Sequence, residues 1–199
     1  MDPETKTVKP KTKKDKVAKV YDAIEIVAVA VVIVLLLFTF IGRLSTVEGD
    51  SMYDTLENGE RLIISNFFYK PKSGDIIVFQ QSGMYFDEPL VKRVIATEGQ
   101  TVKIDFDAWL VWVDGSLLNE TYVTHEKGKR MKVDNYDKMY ADIMNENGEI
   151  TIPKGYLFVM GDNRNHSSDS RFSGVGLVRV EDVMGRVVFR LFPHFGLVG

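Results

Sequence analysis

Leu90-Val91-Lys92-Arg93-Val94-Ile95-Ala96 decides how this chain is read. It is a short aliphatic run that stops just before the turn signal Glu98-Gly99. On a strand, alternate side chains share a face, so Lys92 falls on the face of Leu90 and Val94. Runs of the same kind lie outward from it at Arg61–Ser65, Asp75–Gln80, Thr101–Ile104, Leu110–Val113, Tyr156–Met160 and Gly185–Phe192. Asn58-Gly59, Pro71–Gly74, Asp114-Gly115, Asn147-Gly148 and Pro153–Gly155 punctuate them. Short strands with turn signals at this spacing predict a mainly β fold, a coiled antiparallel sheet or barrel. One segment, Asn135–Met144, has weak helical character, and the polar stretch from about 105 to 150 reads as a smaller lobe inserted into the main sheet system.

The N-terminal fifth differs. Ala23–Ile41 is nineteen residues long with one charge, Glu25, and no polar stripe from Ile26 onward. As a helix it extends roughly 28 Å, enough to cross a bilayer. Residues 1–22 hold seven lysines against four acids, so the remainder of a chain with net charge −3 carries −6. Basic flanks stay inside. The expectation is a cytoplasmic tail over 1–22, a single anchor over 23–42 and a body over 43–199 on the extracellular side of the cell membrane. A cleaved signal peptide shares the basic-then-apolar order, but the run is long and Gly42-Arg43-Leu44-Ser45 has no small-x-small pair.

Composition narrows the chemistry. At 199 residues, 45% hydrophobic and 27% charged, the chain is a folded protein with one sizeable core or a core plus a lobe. Its net charge gives no reason to expect nucleic acid as a partner. The absence of cysteine removes disulfides and thiolate metal sites. His125, His166 and His194 do not fall in a metal-ligand spacing.

Three stretches carry chemistry. Gly49-Asp50-Ser51-Met52-Tyr53 reads either as a turn or as a nucleophile whose glycine lets a substrate backbone approach. Lys92 reads either as an edge-strand lysine reaching solvent or as a buried amine whose pKa falls toward that of a general base. Gly161-Asp162-Asn163-Arg164-Asn165-His166-Ser167-Ser168-Asp169-Ser170-Arg171 reads either as a loop knitted by Asx-turns or as a buried network orienting catalytic groups.

In this order behind an apolar span, the stretches resemble the type I signal peptidases of bacteria, most closely the compact Gram-positive kind. Ser51-Met52 with Thr55-Leu56 is similar to the nucleophile box, and Gly74–Phe79 to the second strand box. Lys92-Arg93-Val94 is similar to the lysine box, and Gly161-Asp162-Asn163 with Ser167, Asp169, Ser170 and Arg171 to the last. The resemblance implies Ser51 as nucleophile, Lys92 as general base, Ser167 as a hydroxyl holding the lysine amine, and Asp169 with Arg171 as a supporting ion pair. It further implies signal peptides of secretory preproteins as substrates, cleavage after small residues of Ala-x-Ala type, the lipid bilayer as a partner, and no cofactor or metal. Two positions depart from the family pattern. Asp54 stands where proline is usual, loosening the turn and adding charge. Gly49 stands where some members carry a serine as a second oxyanion donor, though Gram-positive members commonly show glycine there.

Overall fold

A computed structural model describes residues 13–40, 42–81 and 88–198. The chain divides into two units, Met1–Ile41 and Gly42–Gly199. The first holds helix α1, Lys13–Phe40, a run without glycine or proline. Its described side chains, 19–35, are all exposed. Among the described residues no helix is long and apolar enough to cross a membrane. Residues 1–12 of the expected tail, and the side chains of 36–41 in the expected 23–42 anchor, lie outside the described part.

The second unit is mainly β. In chain order its strands are β1 (Arg43–Thr46), β2 (Arg61–Ser65), β3 (Ile76–Phe79), β4 (Leu90–Ala96), β5 (Thr101–Asp105), β6 (Leu110–Val113) and β7 (Ser116–Leu117). A single-turn helix α2 (Tyr136–Met139) precedes β8 (Ile150–Thr151), β9 (Tyr156–Met160), β10 (Val178–Arg179), β11 (Val183–Phe192) and β12 (Gly196–Leu197). The main antiparallel sheet runs β1-β2-β11-β3-β4-β9-β10, with β12 added to β11. A second sheet, β7-β6-β5-β8, is built from residues 101–151.

The main sheet curls because β11 serves several partners. It pairs with β3 through Val183–Arg186 and with β2 through Arg186–Phe192, with register shifts at three places. Such irregularities bend a strand and sharpen its twist. Gly185 makes the crossing feasible, since a Cβ there would meet the Ser65 backbone at 3.0 Å. Curling leaves β3 with apolar neighbours on both faces. Ile76 and Val78 join a core with Val47, Met52, Leu56, Leu62, Ile64 and Val91, whereas Ile77 and Phe79 join one with Val94, Leu157 and Val159. A third core lies between the second sheet and the Ile95, Phe158 and Met160 side chains. β4 is therefore an interior strand from Arg93 to Ala96, between β3 and β9, whereas Leu90–Lys92 pair with β3 alone.

The helix expected over 135–144 shrinks to α2. Tyr136 and Tyr140 turn their rings into the third core against Phe158, and Asn145 then diverts the chain by accepting from the Asn147 and Glu149 N–H groups. The two-residue strands β7, β8, β10 and β12 have too little sequence of their own to show a period.

Candidate active site

The turn that carries Ser51 is pinned from beneath. Met52 and Leu56 are buried in the core under β2 and β3, and the Thr55 and Leu56 N–H groups both donate to the Met52 carbonyl at 2.8 Å. Ser51 is thereby held at the surface of a rigid turn. No acceptor among the described residues takes its N–H.

β4 brings Lys92 to that turn. Its side chain is only 2% exposed, and Nζ lies 2.8 Å from Ser51 Oγ and 2.9 Å from the Val91 carbonyl. Burial lowers its pKa from 10.5 to about 8, with Arg171 pushing the same way and the carboxylates of Asp169 and Asp162 opposing. About a tenth of the lysine is then neutral at pH 7, against well under a thousandth for a free side chain.

The loop 161–171 supplies the remaining polar groups, and seven of its residues from Asp162 to Arg171 are buried. Asp169 accepts from the Gly161 N–H at 2.9 Å, from Ser167 Oγ at 2.7 Å and from the Arg171 guanidinium at 2.7 and 2.8 Å. Burial alone would raise the Asp169 pKa, but the Arg171 charge and these donors hold it below the ordinary carboxylate range. Ser167, expected at the lysine amine, gives its hydroxyl to Asp169 instead. Gly161 has no room for a side chain, because a Cβ would stand 2.5 Å from both the Ser51 carbonyl oxygen and Ser167 Cβ.

Other residues of the same motif stretches join the site in roles that the sequence did not assign. Asp162 accepts a bidentate pair from Arg93, Nε at 2.9 Å and Nη2 at 2.7 Å, and also the Thr55 hydroxyl at 2.5 Å. The Asn163 amide donates to the Asp50 carbonyl at 3.0 Å, and the Asn163 N–H to that of Ser51 at 3.1 Å. These bonds lock the loop onto the Ser51 turn. The sequence signal was the place of Asp162 and Arg93 within two of the motif stretches, with nothing to pair them across 69 positions. Asp54, at the position of the usual proline, accepts the Thr124 hydroxyl at 2.6 Å. Among the described residues no cluster of histidine, aspartate or glutamate is arranged to hold a metal.

Residues 20–192 match the family model described as signal peptidase, peptidase S26. The chain is 33% identical to signal peptidase I T of Bacillus subtilis over 198 residues, 97% of this chain and 96% of that protein. It is 35% identical over 170 residues to signal peptidase I S of the same organism, 84% of this chain and 86% of that one. A solved signal peptidase I of Enterococcus faecalis is 28% identical and matches 60% of this chain and 98% of its own, with a TM-score of 0.46. With its buried amine at the serine of a curled antiparallel sheet, and with relatives matching along nearly the whole length, this chain belongs to the S26 family of signal peptidases.

Proposed function

We propose that Ser51 is the nucleophile and Lys92 the general base with which this signal peptidase removes signal peptides from secretory preproteins. The observation that carries the assignment is the 2.8 Å contact between Ser51 Oγ and an amine that is 2% exposed. A neutral amine has two hydrogens and one lone pair. One N–H goes to the Val91 carbonyl, which turns the lone pair toward the Ser51 hydroxyl. Lys92 takes that proton as Ser51 Oγ attacks the scissile carbonyl. The amine then returns it to the departing nitrogen, and the resulting ester is hydrolysed by water that Lys92 deprotonates in turn. The Ser51 N–H contributes to stabilising the developing oxyanion. Asp169 and Arg171 fix the loop, and Ser167 acts on Lys92 through Asp169.

Substrate access fits this chemistry. β9 pairs with β4 only from Arg93 onward, which leaves the Leu90–Lys92 edge open beside Ser51. An extended peptide adds there as a further strand, and its scissile carbonyl meets the serine. Residues of Ala-x-Ala type before the cut suit a floor already filled by Met52, Val91 and Ile76. The basic tail over 1–22 and the apolar run over 23–42 support a single anchor with the tail in the cytoplasm and the 43–199 body outside, next to its membrane-bound substrates. The stretch at about 105–150, which lies within the 101–151 span of the second sheet, is the inserted lobe of that body.

Purified protein assayed on a fluorogenic Ala-x-Ala peptide tests the pair. Ser51→Ala and Lys92→Ala should each abolish nearly all turnover while the protein stays folded, because the two groups act as a unit. Substantial turnover by either variant would refute the assignment.

A further inference from the structure

Residues 119–131 connect the second sheet to the region of α2 and belong to neither sheet. Four side chains of this segment nevertheless land on the catalytic blocks. Glu120 pairs with the guanidinium of Arg164 through both nitrogens, Nη1 at 3.0 Å, and the two side chains are 8% and 0% exposed. Arg93, the neighbour of Lys92, lies 4.0 Å over the Tyr122 ring. Thr124 donates to Asp54 on the nucleophile turn at 2.6 Å. Glu126 accepts from Asn165 at 3.0 Å and meets His166 Nε2 at 3.1 Å.

The Glu120–Arg164 pair has the widest reach. Arg164 Nε donates to the Gly161 carbonyl at 3.2 Å, and the Arg164 carbonyl accepts from Arg171 Nη2 at 2.7 Å. Arg164 therefore ties together the two ends of the loop, one packed on the Ser51 carbonyl and the other held by Asp169. A buried ion pair is seldom more stable than an apolar pair of equal size, but its geometry is strict. Strict geometry at this point governs where Gly161 sits between Ser51 and Ser167.

We propose that residues 120–126 are a strap that sets the spacing between the nucleophile turn and the catalytic loop, with Glu120 as its principal positioning residue. The strap touches neither substrate nor the reacting atoms, and its role rests on the Ser51–Lys92 assignment. Asp54 is its docking point on the nucleophile turn, so the residue that departs from the family pattern acquires a structural partner.

The test uses the full chain in detergent with Glu120→Gln, Thr124→Val and Thr124→Ser, read by kcat, KM, the pH profile and amide exchange. Glu120→Gln should lower kcat by about ten- to a hundredfold, the scale of a misplaced reacting group. KM should stay within about twofold, since ground-state binding is untouched. The acid limb of kcat/KM should move, and the Gly161 amide should exchange faster. Thr124→Val should lower kcat by about threefold, on the order of one lost exposed hydrogen bond, and Thr124→Ser should restore it. Unaltered kcat and acid limb in a folded Glu120→Gln protein overturn the proposal, as does faster exchange with unaltered kcat. If Glu120→Gln does not fold, Thr124→Val decides, and wild-type kcat there overturns it. Failure of the dyad itself would appear separately, as turnover by Lys92→Ala in an intact strap.

Discussion

Two polar loops, 144–149 and 161–171, look alike in sequence and are opposite in structure. Both follow an apolar residue and carry two asparagines, one glycine and two acids. In the first, Asn145 satisfies its own neighbourhood: its side chain accepts from the Asn147 and Glu149 N–H groups and donates to the Glu149 carboxylate at 2.8 Å. Residues 145–148 are exposed. In the second, Asp162, Arg164, Asp169 and Arg171 are at most 1% exposed, and they draw on Thr55, Arg93, Glu120 and Lys132 from elsewhere in the chain. A buried charge must be paired and fully bonded, whereas an exposed one has water. The loop packed on the Ser51 turn is the one whose polar groups are supplied from a distance.

The comparison breaks most visibly at Asp169. Asp169→Ala should destabilise the protein by about 3–5 kcal/mol, because it leaves the buried Arg171 guanidinium without its counter-charge. Urea unfolding at pH 7 measures this, and a loss below about 1 kcal/mol would show that the network is dispensable. Because the Asp169 carboxyl is held below its ordinary value of 3.8, its contribution is full above that value and disappears as pH falls through the folded value.

Lys92 sharpens the comparison from the other side, as a buried charge that the fold accommodates at a cost. With a folded pKa of about 8 against 10.5, the protonated amine costs about 3 kcal/mol of stability. Below about 8 both folded and unfolded chains are protonated, so the full cost applies. Between about 8 and 10.5 the unfolded chain holds the extra proton, so stability rises with pH. Lys92→Met should therefore be inactive yet more stable than the native protein at pH 7, with the difference shrinking as pH approaches 10.5. The acid limb of kcat/KM should fall near the same value of about 8. A Lys92→Met protein less stable at pH 7, or a flat rate profile from pH 6 to about 10, contradicts the buried-base reading.

The smallest effect is expected in the exposed loop. Asn145→Ala should cost about 1 kcal/mol or less and leave kcat unchanged, because water replaces the lost bonds. A large loss of activity would mean that this turn also reports to the site.

Much of the fold was legible in advance. Arg61–Ser65, Leu90–Ala96, Leu110–Val113 and Tyr156–Met160 are strands with the bounds that their apolar runs and flanking turns predict. Ser51 and Lys92 were legible as motif residues, and their order along the chain carried the family. Alternation also placed Lys92 among Leu90 and Val94, because strand period is a local property of the backbone. Whether that face was an edge or an interior was not local. It depends on β9 pairing with β4 only from Arg93 onward and on the bulged β11 curling the sheet, and bulges are tertiary adjustments with no period of their own. The meeting of Lys92 with Ser51, the diversion of Ser167 to Asp169, and the reach of Glu120 and Thr124 to Arg164 and Asp54 were likewise decided only in three dimensions. Each joins residues whose chemistry is plain in the sequence but whose pairing depends on where the sheet carries them.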